Sequence, residues 1–410
     1  MRVAFFAPLA PLRGGVVDYS EELLPHLAQH CSIDIYTRDG LTPANASLAR
    51  QFRVFGHRAF PEHDRRTPYD QVIYQLGCSA DHVPDYENLL RRPGLSVLHE
   101  LNLSGIIGAQ TFGRGRPFEY VKAVWANEGI GAAAEVVWRF ARTRQFPDYL
   151  RYDFNRLALK HSVGLIVHNR YMQQKIEERL RRLGIRRSVH LVRMGVPPAP
   201  EIGEADTRRA RRELNLADDA FVIGSFGIVH ESKGIDLALS AFKRLLSHVP
   251  QATYLLVGEM ASSLLAQAIE GLSLGDCVRM TGHVALPDFY RYAAATNVCI
   301  NLRVPRTGGT SASRLRLMSV GRPVIVSNQA QFAEIPDDAC LKAEAGNGAE
   351  DSVLAHLLDM AAHPDKARQI GERARHFVER SHSLGQAAQG YWGALRASIR
   401  VPAGAYLCVR

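Results

Sequence analysis

The sequence predicts an α/β protein built from two doubly wound domains. Three observations support this. At 410 residues the chain is too long for one hydrophobic core. Short apolar runs alternate with helix-patterned stretches, which is the grammar of a parallel sheet. The alternation stops at Met194–Pro200, MGVPPAP, and then starts afresh. The expected division is 1–198, 199–384 and a last helix, 385–410, returning toward the first domain.

The elements follow in chain order. Arg2 to Ala7 is an apolar strand, followed by the loop PLAPLRGGVVDYS and a helix from about Tyr19 to Gln29. Ser32–Thr37 alternates as a second strand, and Gln71–Leu76, Leu95–Leu98 and Gly164–His168 continue the series. Leu103 to Tyr152 reads mainly as helix. After the Pro-rich hinge comes an Arg/Glu-rich helix from about Ala205 to Leu214. Strands then resume at Phe221–Phe226, Thr253–Val257, Val278–Thr281, Val298–Leu302 and Val324–Ser327. Helices at Ala349–Ala361, Asp365–Ser381 and Leu384–Ile399 end the pattern. Doubly wound sheets bind ligands at the carboxyl ends of their strands, so the loops there are the places to look.

Composition narrows the function class. Hydrophobic residues make up 46% and charged residues 22%, as in ordinary globular proteins. No run is apolar for the roughly 18–20 residues a bilayer-spanning helix needs. MRVAFFAPLAPLRGG reads as a core strand rather than a signal peptide. The six cysteines, Cys31, Cys78, Cys277, Cys299, Cys340 and Cys408, form no CxxC pair, which points to reduced thiols in a cytoplasm and away from zinc. Net charge is +9. Between Arg151 and Leu214 there are 15 Lys/Arg against 7 Asp/Glu, with clusters at Arg179, Arg181, Arg182, Arg186, Arg187 and at Arg208, Arg209, Arg211, Arg212. This is either a solvated helix face or a surface for anionic lipid. Aromatics are not interleaved with the charges, so nucleic acid is not an expected partner.

Four segments carry candidate chemistry. In the run NLRVPRTGGTSASRLRLMSVGRPVIVSN, the residues Thr307, Gly308, Gly309, Thr310, Ser311 and Ser313 place small and hydroxyl side chains where a helix begins. The unpaired N–H groups there suit phosphate or sugar hydroxyls, or the segment is simply a capped helix. Arg13-Gly14-Gly15-Val16 lets backbone approach a ligand closely, or is a tight turn; it is not GxGxxG, so a nicotinamide cofactor is not supported. Gly227 to Gly234 puts Lys233 at a strand-to-helix junction, as a diphosphate contact or a surface lysine, without the Walker A order. His99 and Glu100 close an apolar strand, for proton transfer, for gripping sugar hydroxyls, or for structure alone; His82, after Gly77-Cys78-Ser79, stands similarly. The histidines show no metal pattern.

In this order the segments resemble the GT-B glycosyltransferases of the large retaining family four, particularly the bacterial branch of cell-surface polysaccharide assembly. PLRGGVVDYSEELLPHLA, VIYQLGCSADH, VLHELNL, GSFGIVHESKGIDLALSAF and INLRVPRTGGTSASRLRLMSVGRPVIVS carry the likeness along nearly the whole chain. The resemblance implies two Rossmann-like domains facing a central cleft. A nucleotide-sugar donor would sit mainly on the second domain, and a glycan or lipid-linked acceptor mainly on the first. It implies retention at the anomeric carbon, no metal, and a place in the cytoplasm or on the inner face of the plasma membrane. Gly14 and Gly15 would match the loop near the donor phosphates and the acceptor, with Arg13, Asp18 and Glu100 on the acceptor side. His99 would contact the donor sugar and Lys233 the diphosphate. Gly309, Thr310, Ser311 and Ser313 would face sugar and phosphate.

The chain departs from the family at three points. An Arg expected five residues before Lys233 is Ile228, and the GN pair is Gly77-Cys78. The E-x7-E carboxylates fall on Gly308 and Arg316, and a related branch's Glu falls on Gly309. Arg316 cannot accept hydrogen bonds from a ribose, so its expected role is positive charge beside the diphosphate. The reading that follows is sugar transfer from a nucleotide-sugar to a hydroxyl. Lost carboxylates also leave open a non-catalytic sugar-nucleotide binder or partner subunit, and an epimerase that would need carboxylates not placed here.

Overall fold

The computed structural model describes residues 1–146, 151–304 and 308–399; Thr307 and Cys408 lie outside the described residues. The chain forms two units. One comprises Met1–Gly195, Gly308–Thr310 and Leu384–Arg410, the other Val196–Thr307 and Ser311–Ser383. The division falls at Gly195/Val196 rather than after Pro198, because Val196 bridges to Ser383 and its N–H bonds the His382 carbonyl.

The first unit holds a parallel sheet of β1 (Arg2–Phe6), β2 (Ser32–Thr37), β3 (Arg53–Gly56), β4 (Gln71–Leu76), β5 (Gly94–Leu98), β6 (Ser162–Val167) and β7 (Val189–Leu191). Its order is β3-β2-β1-β4-β5-β6-β7, with Phe5 in register with Ile35 on one side and Ile73 on the other. The strands are apolar on both faces because helices cover both, as in parallel sheets generally. Phe6, Tyr36, Tyr74, Tyr86 and Phe154 are among the largest fully buried side chains. The first helix runs Gly15–Leu27, starting four residues before Tyr19, because Gly14 and not a Ser/Thr cap opens it. The last helix, Leu384–Ile399, packs on this first helix and on β5, β6 and β7.

The second unit repeats the topology without repeating the sequence. Its strands are β8 (Val222–Phe226), β9 (Thr253–Val257), β10 (Val278–Met280), β11 (Val298–Asn301), β12 (Val324–Ser327) and β13 (Leu341–Ala343), all parallel, in the order β10-β9-β8-β11-β12-β13. In both sheets the order reverses beside the first strand, between β1 and β4 and between β8 and β11. The loops after those strands carry Gly14 and Gly227, at the crevice where such sheets bind ligands.

The two clusters of the basic stretch belong to different units, and many of its arginines are already engaged. Arg179 pairs with Glu128, Arg182 with Glu178, Arg208 with Glu204 and Arg209 with Glu213. Arg187 and Arg211 donate to backbone carbonyls that helix and strand ends leave open.

Candidate functional site

In the first unit, the loop after β1 is built to expose backbone. Gly14 caps the Gly15–Leu27 helix at φ 154°, ψ 159°, a combination open to glycine, and a Cβ there would meet nothing within 4 Å. The loop is held from below. Glu21 accepts from the Ala10 N–H at 2.8 Å and from Asn45 Nδ2 at 3.0 Å. Arg13 and Gly15 are exposed, and Asp18 lies in the helix's first turn, where a carboxylate is favoured by the helix dipole.

His99 follows β5 and is buried, 5% exposed. Its N–H bonds the Leu76 carbonyl at 2.9 Å, and Nε2 lies 2.6 Å from Gln75 Oε1. With the Gln75 amide oriented so that its Nε2 donates to the Tyr391 hydroxyl at 3.4 Å, its oxygen accepts from His99 Nε2–H. His99 Nδ1 is then an unprotonated acceptor, and it is buried with no partner among the described residues. Burial holds the imidazole well below its ordinary pKa, with His168 and His82 adding to the effect.

His168 repeats this arrangement one strand over. It follows β6, donates from Nδ1 to the Val192 carbonyl at 2.8 Å, and leaves Nε2 buried and unpaired. Burial pushes it down to about 4. The two rings stand 4.9 Å apart, and both meet Tyr19 edge-on. Two neutral imidazoles with open acceptor nitrogens suit hydroxyl donors. His82 has a different job. Its Nδ1 bonds the Gln75 carbonyl at 2.9 Å and Asp85 at 3.3 Å, and its ring occupies the space above Gly77, fixing the end of β4.

The Gly308–Thr310 segment belongs to this unit and explains two missing carboxylates. Gly308 has φ 78°, and a Cβ on it would come within 2.7 Å of Leu101. A Cβ on Gly309 would come within 2.7 Å of the His99 carbonyl. Asn169 clamps the segment, donating to the Gly308 carbonyl at 2.8 Å and to Thr310 Oγ1 at 3.0 Å. The same side chain caps the helix Arg170–Leu183 through the Met172 N–H. Glu100 is half-buried next to this backbone, its Cγ 3.2 Å from where a Gly309 Cβ would stand.

In the second unit, Lys233 ends a short turn, Glu231–Lys233, just before the helix Ile235–Leu245. His230 Nδ1 caps that turn through the Ser232 N–H, and Gly234 at φ 58° turns the chain into the helix. The loop is fixed by bonds from Gly227 N–H to the Val257 carbonyl and from Val304 N–H to the Ser232 carbonyl. Lys233 Nζ reaches back to the Phe226 carbonyl at 3.4 Å, under Gly227, where a Cβ would stand 2.6 Å from it. Burial pushes the ammonium down to about 7, and the Arg303 guanidinium pushes the same way. Ile228, where the family has Arg, is 49% exposed.

Ser311 caps the helix Ala312–Ser319 through the Arg314 N–H, and its hydroxyl lies 3.1 Å from that of Ser313. Ser313 accepts from Asn301 Nδ2 at 3.3 Å and lies close to Gly227. Lys233, Ser311, Ser313 and the end of β11 therefore gather at one helix N-terminus, an arrangement that receives anions. Arg316 is buried, 2% exposed, on that helix. Arg314 is buried too, 4% exposed, with Nε unpaired and its guanidinium 5.7 Å over the Phe332 ring; burial pushes it down to about 10, and Arg303 adds to this. Arg303 thus lies electrostatically between Lys233 and Arg314. Among the described residues no group of three His, Cys, Asp or Glu could hold a metal ion. No described helix is long and apolar enough to cross a membrane.

The expected site residues are therefore split. Arg13, Gly14, Gly15, Asp18, His99, Glu100, Gly309 and Thr310 lie in the first unit, and Lys233, Ser311, Ser313 and Arg316 in the second. Gln75, His168, Asn169, Arg303 and Arg314 join them without having been expected. His168 had a readable signal, since it ends an apolar strand as His99 does. Gln75 and Asn169 had none, because their roles depend on partners distant in sequence.

A family model described as Glycosyl transferases group 1 matches residues 220–361. No curated protein sequence matches the chain. The fold is that of several solved structures. Anabaena HepE in complex with UDP-glucose is similar at a TM-score of 0.68 and 15% identity, over 97% of this chain and 100% of that one. Sucrose-phosphate synthase from Thermosynechococcus elongatus gives 0.68 at 17% identity, over 97% and 98%. WaaG, a glycosyltransferase involved in lipopolysaccharide biosynthesis, gives 0.67 at 13% identity, over 96% and 99%. The second unit thus matches the group 1 glycosyltransferase model over residues 220–361, and along almost its full length the chain shares the two-sheet fold of these structures.

Proposed function

We propose that this glycosyltransferase moves a sugar from a nucleotide-sugar to a hydroxyl of a polysaccharide or lipid-linked acceptor, with retention at the anomeric carbon. The observation that carries the reading is Lys233: a half-buried side chain whose Nζ lies at the Phe226 carbonyl under Gly227, close to Ser313 at a hydroxyl-capped helix N-terminus, and which burial and the charge of Arg303 bring down to about 7. Positive charge beside the open N–H groups of a helix N-terminus receives an anion. A donor diphosphate is such an anion, and HepE, of the same fold, is known in complex with UDP-glucose.

In this reading the bond from the anomeric carbon to the diphosphate oxygen breaks, and a bond from that carbon to the acceptor oxygen forms on the same face. The leaving diphosphate gains charge as the sugar becomes oxocarbenium-like. Lys233, Arg303 and the N–H groups ahead of Ala312–Ser319 stabilise that charge in place, with no divalent ion assigned. The acceptor's proton passes to a donor phosphate oxygen. His99 and His168, both neutral, accept from sugar hydroxyls rather than repel the oxocarbenium centre. Arg303 supplies the charge absent at Ile228, while Arg316, buried on its helix, supports the helix.

The test is a thermal-shift screen against UDP-, GDP-, ADP- and dTDP-sugars, with mass spectrometry for released nucleoside diphosphate. One donor should stabilise the protein and be hydrolysed slowly, and Arg303→Ala should weaken it about tenfold or more. Binding without turnover in the presence of an acceptor panel would favour the non-catalytic binder. No shift with any donor would end the transferase reading.

A further inference from the structure

The helices Glu119–Glu128 and Ile130–Thr143 form a hairpin at Gly129 whose outer face is apolar. Large side chains are seldom left in water in such density. Phe118 is 67% exposed, Trp125 60%, Ile130 77%, Val137 53% and Trp138 57%. On the second helix, Ile130, Ala134, Val137, Trp138 and Ala141 recur at helical spacing and are all exposed, while Ala133 and Val136 are buried against the protein. The helix therefore has an apolar face on each side, and among the described residues only one is covered. Ring contacts of Phe118 with Phe140 and Phe146 make the patch continuous between the two helices.

The charge around the patch says what covers it. From Phe112 to Phe146 the sequence has six Lys/Arg and three Asp/Glu. Two of the three carboxylates are engaged by arginines: Glu128 by Arg179, and Glu135 by Arg139 and Arg151. Arg116, Arg142 and Arg144 are exposed, and Arg142 lies 4.8 Å over the Trp138 ring. Two of the chain's three tryptophans stand here. Exposed Trp and Phe ringed by arginine match the layered chemistry of a bilayer surface: headgroup phosphates outside, acyl chains beneath. A protein partner would need an acidic rim around an apolar groove; an anionic bilayer supplies both layers at once.

We propose that the hairpin face centred on Trp125, Ile130 and Trp138 docks the protein on an anionic lipid surface. The inference gives the reading of a lipid-linked acceptor its place, and rests on that reading for its purpose but not for its test. The hairpin takes over the membrane contact considered for the Arg179–Arg212 stretch, where salt bridges already use many of the charges.

The experiment is flotation of the full chain with vesicles of phosphatidylcholine alone and with about one third phosphatidylglycerol, at about 0.05 and about 0.5 M salt. Binding is expected to the anionic vesicles, weakened by salt, with tryptophan emission quenched by brominated acyl chains. Trp125→Ser with Trp138→Ser should reduce partitioning at least about tenfold, and Arg142→Ser should weaken binding at low salt and lessen its salt dependence. Donor binding in solution should be unchanged in both variants, which separates failure of the docking idea from failure of the transferase reading. Absent flotation, or flotation indifferent to the tryptophan variants, overturns the proposal. A self-association that the same variants abolish also overturns it, assigning the face to a second copy.

Discussion

His99 donates from Nε2 to the side-chain oxygen of Gln75 at 2.6 Å, which fixes its tautomer and leaves Nδ1 as a buried, unpaired acceptor. Gln75 in turn donates to the Tyr391 hydroxyl on the last helix, so a residue 316 positions away orients the imidazole through one amide. Gln75→Leu removes the anchor, and kcat/KM should fall about ten- to a hundredfold with nucleoside diphosphate affinity unchanged. Gln75→Glu should instead raise the imidazole's pKa and bring a new pH dependence into the rate. Unchanged kinetics in both variants would show that His99 does not touch the reacting sugar.

Gly227 and Lys233 share one space. A methyl on Gly227 would come within 2.6 Å of Nζ, at a φ of 92° that L residues avoid. Gly227→Ala should displace the ammonium and weaken nucleotide-sugar binding by about tenfold or more, measured by calorimetry, at a folding cost of about 1–2 kcal/mol. Lys233→Ala should show the binding loss without the folding cost. Equal affinities in all three proteins would dismiss Lys233 as the diphosphate contact.

Lys233 also sets a pH dependence. Its ammonium titrates at about 7 in the free protein, and a bound diphosphate raises that value. Binding therefore takes up a proton above pH 7, and affinity should fall as pH rises, by up to about tenfold per unit. Calorimetry in buffers of different ionisation enthalpy reads the proton directly. An uptake of zero at pH 8 would contradict the assignment.

Stability has its own acid limb. His168 binds its proton only near pH 4 when folded but at about 6.5 when unfolded, and His99 is lowered in the same direction. The unfolded chain thus binds more protons in that window, so these groups stabilise fully above about pH 6.5 and lose that contribution as pH falls toward 4. The melting temperature should drop between pH 7 and pH 5, and His168→Phe should flatten the drop. A parallel drop in the variant would place the acid sensitivity elsewhere.

Restoring the family's carboxylates should not rescue anything. Gly308→Glu and Gly309→Glu would drive a Cβ to 2.7 Å from Leu101 and from the His99 carbonyl respectively. Each should cost about 1–3 kcal/mol in a denaturation curve, more for Gly308 because of its positive φ. Improved donor binding in either variant would mean that the segment opens readily.

The repeating strand-helix grammar, the change of unit near Gly195 and the glycine- and hydroxyl-rich loops at strand ends could all be read from the residues alone. Strand patterning, alternating in Ser32–Thr37 and mostly apolar in Gln71–Leu76, Thr253–Val257 and Val324–Ser327, is strong enough that all four stand in the structure as read. The strands left unread, Arg53–Gly56, Val189–Leu191 and Leu341–Ala343, are all at sheet edges, three or four residues long and partly exposed, where hydrophobic patterning is too short to register. The chemistry-bearing loops were legible because glycine, hydroxyl and charged residues interrupt the apolar pattern at strand ends. Which partners those residues have depends on the folded chain. Gln75 meets Tyr391 and Asn169 meets Gly308 because the folded chain brings strand ends, the last helix and distant loops together, and Arg303 acts electrostatically on Lys233. Burial within those pairings, which no local pattern records, is what makes two histidines neutral and one lysine easily discharged.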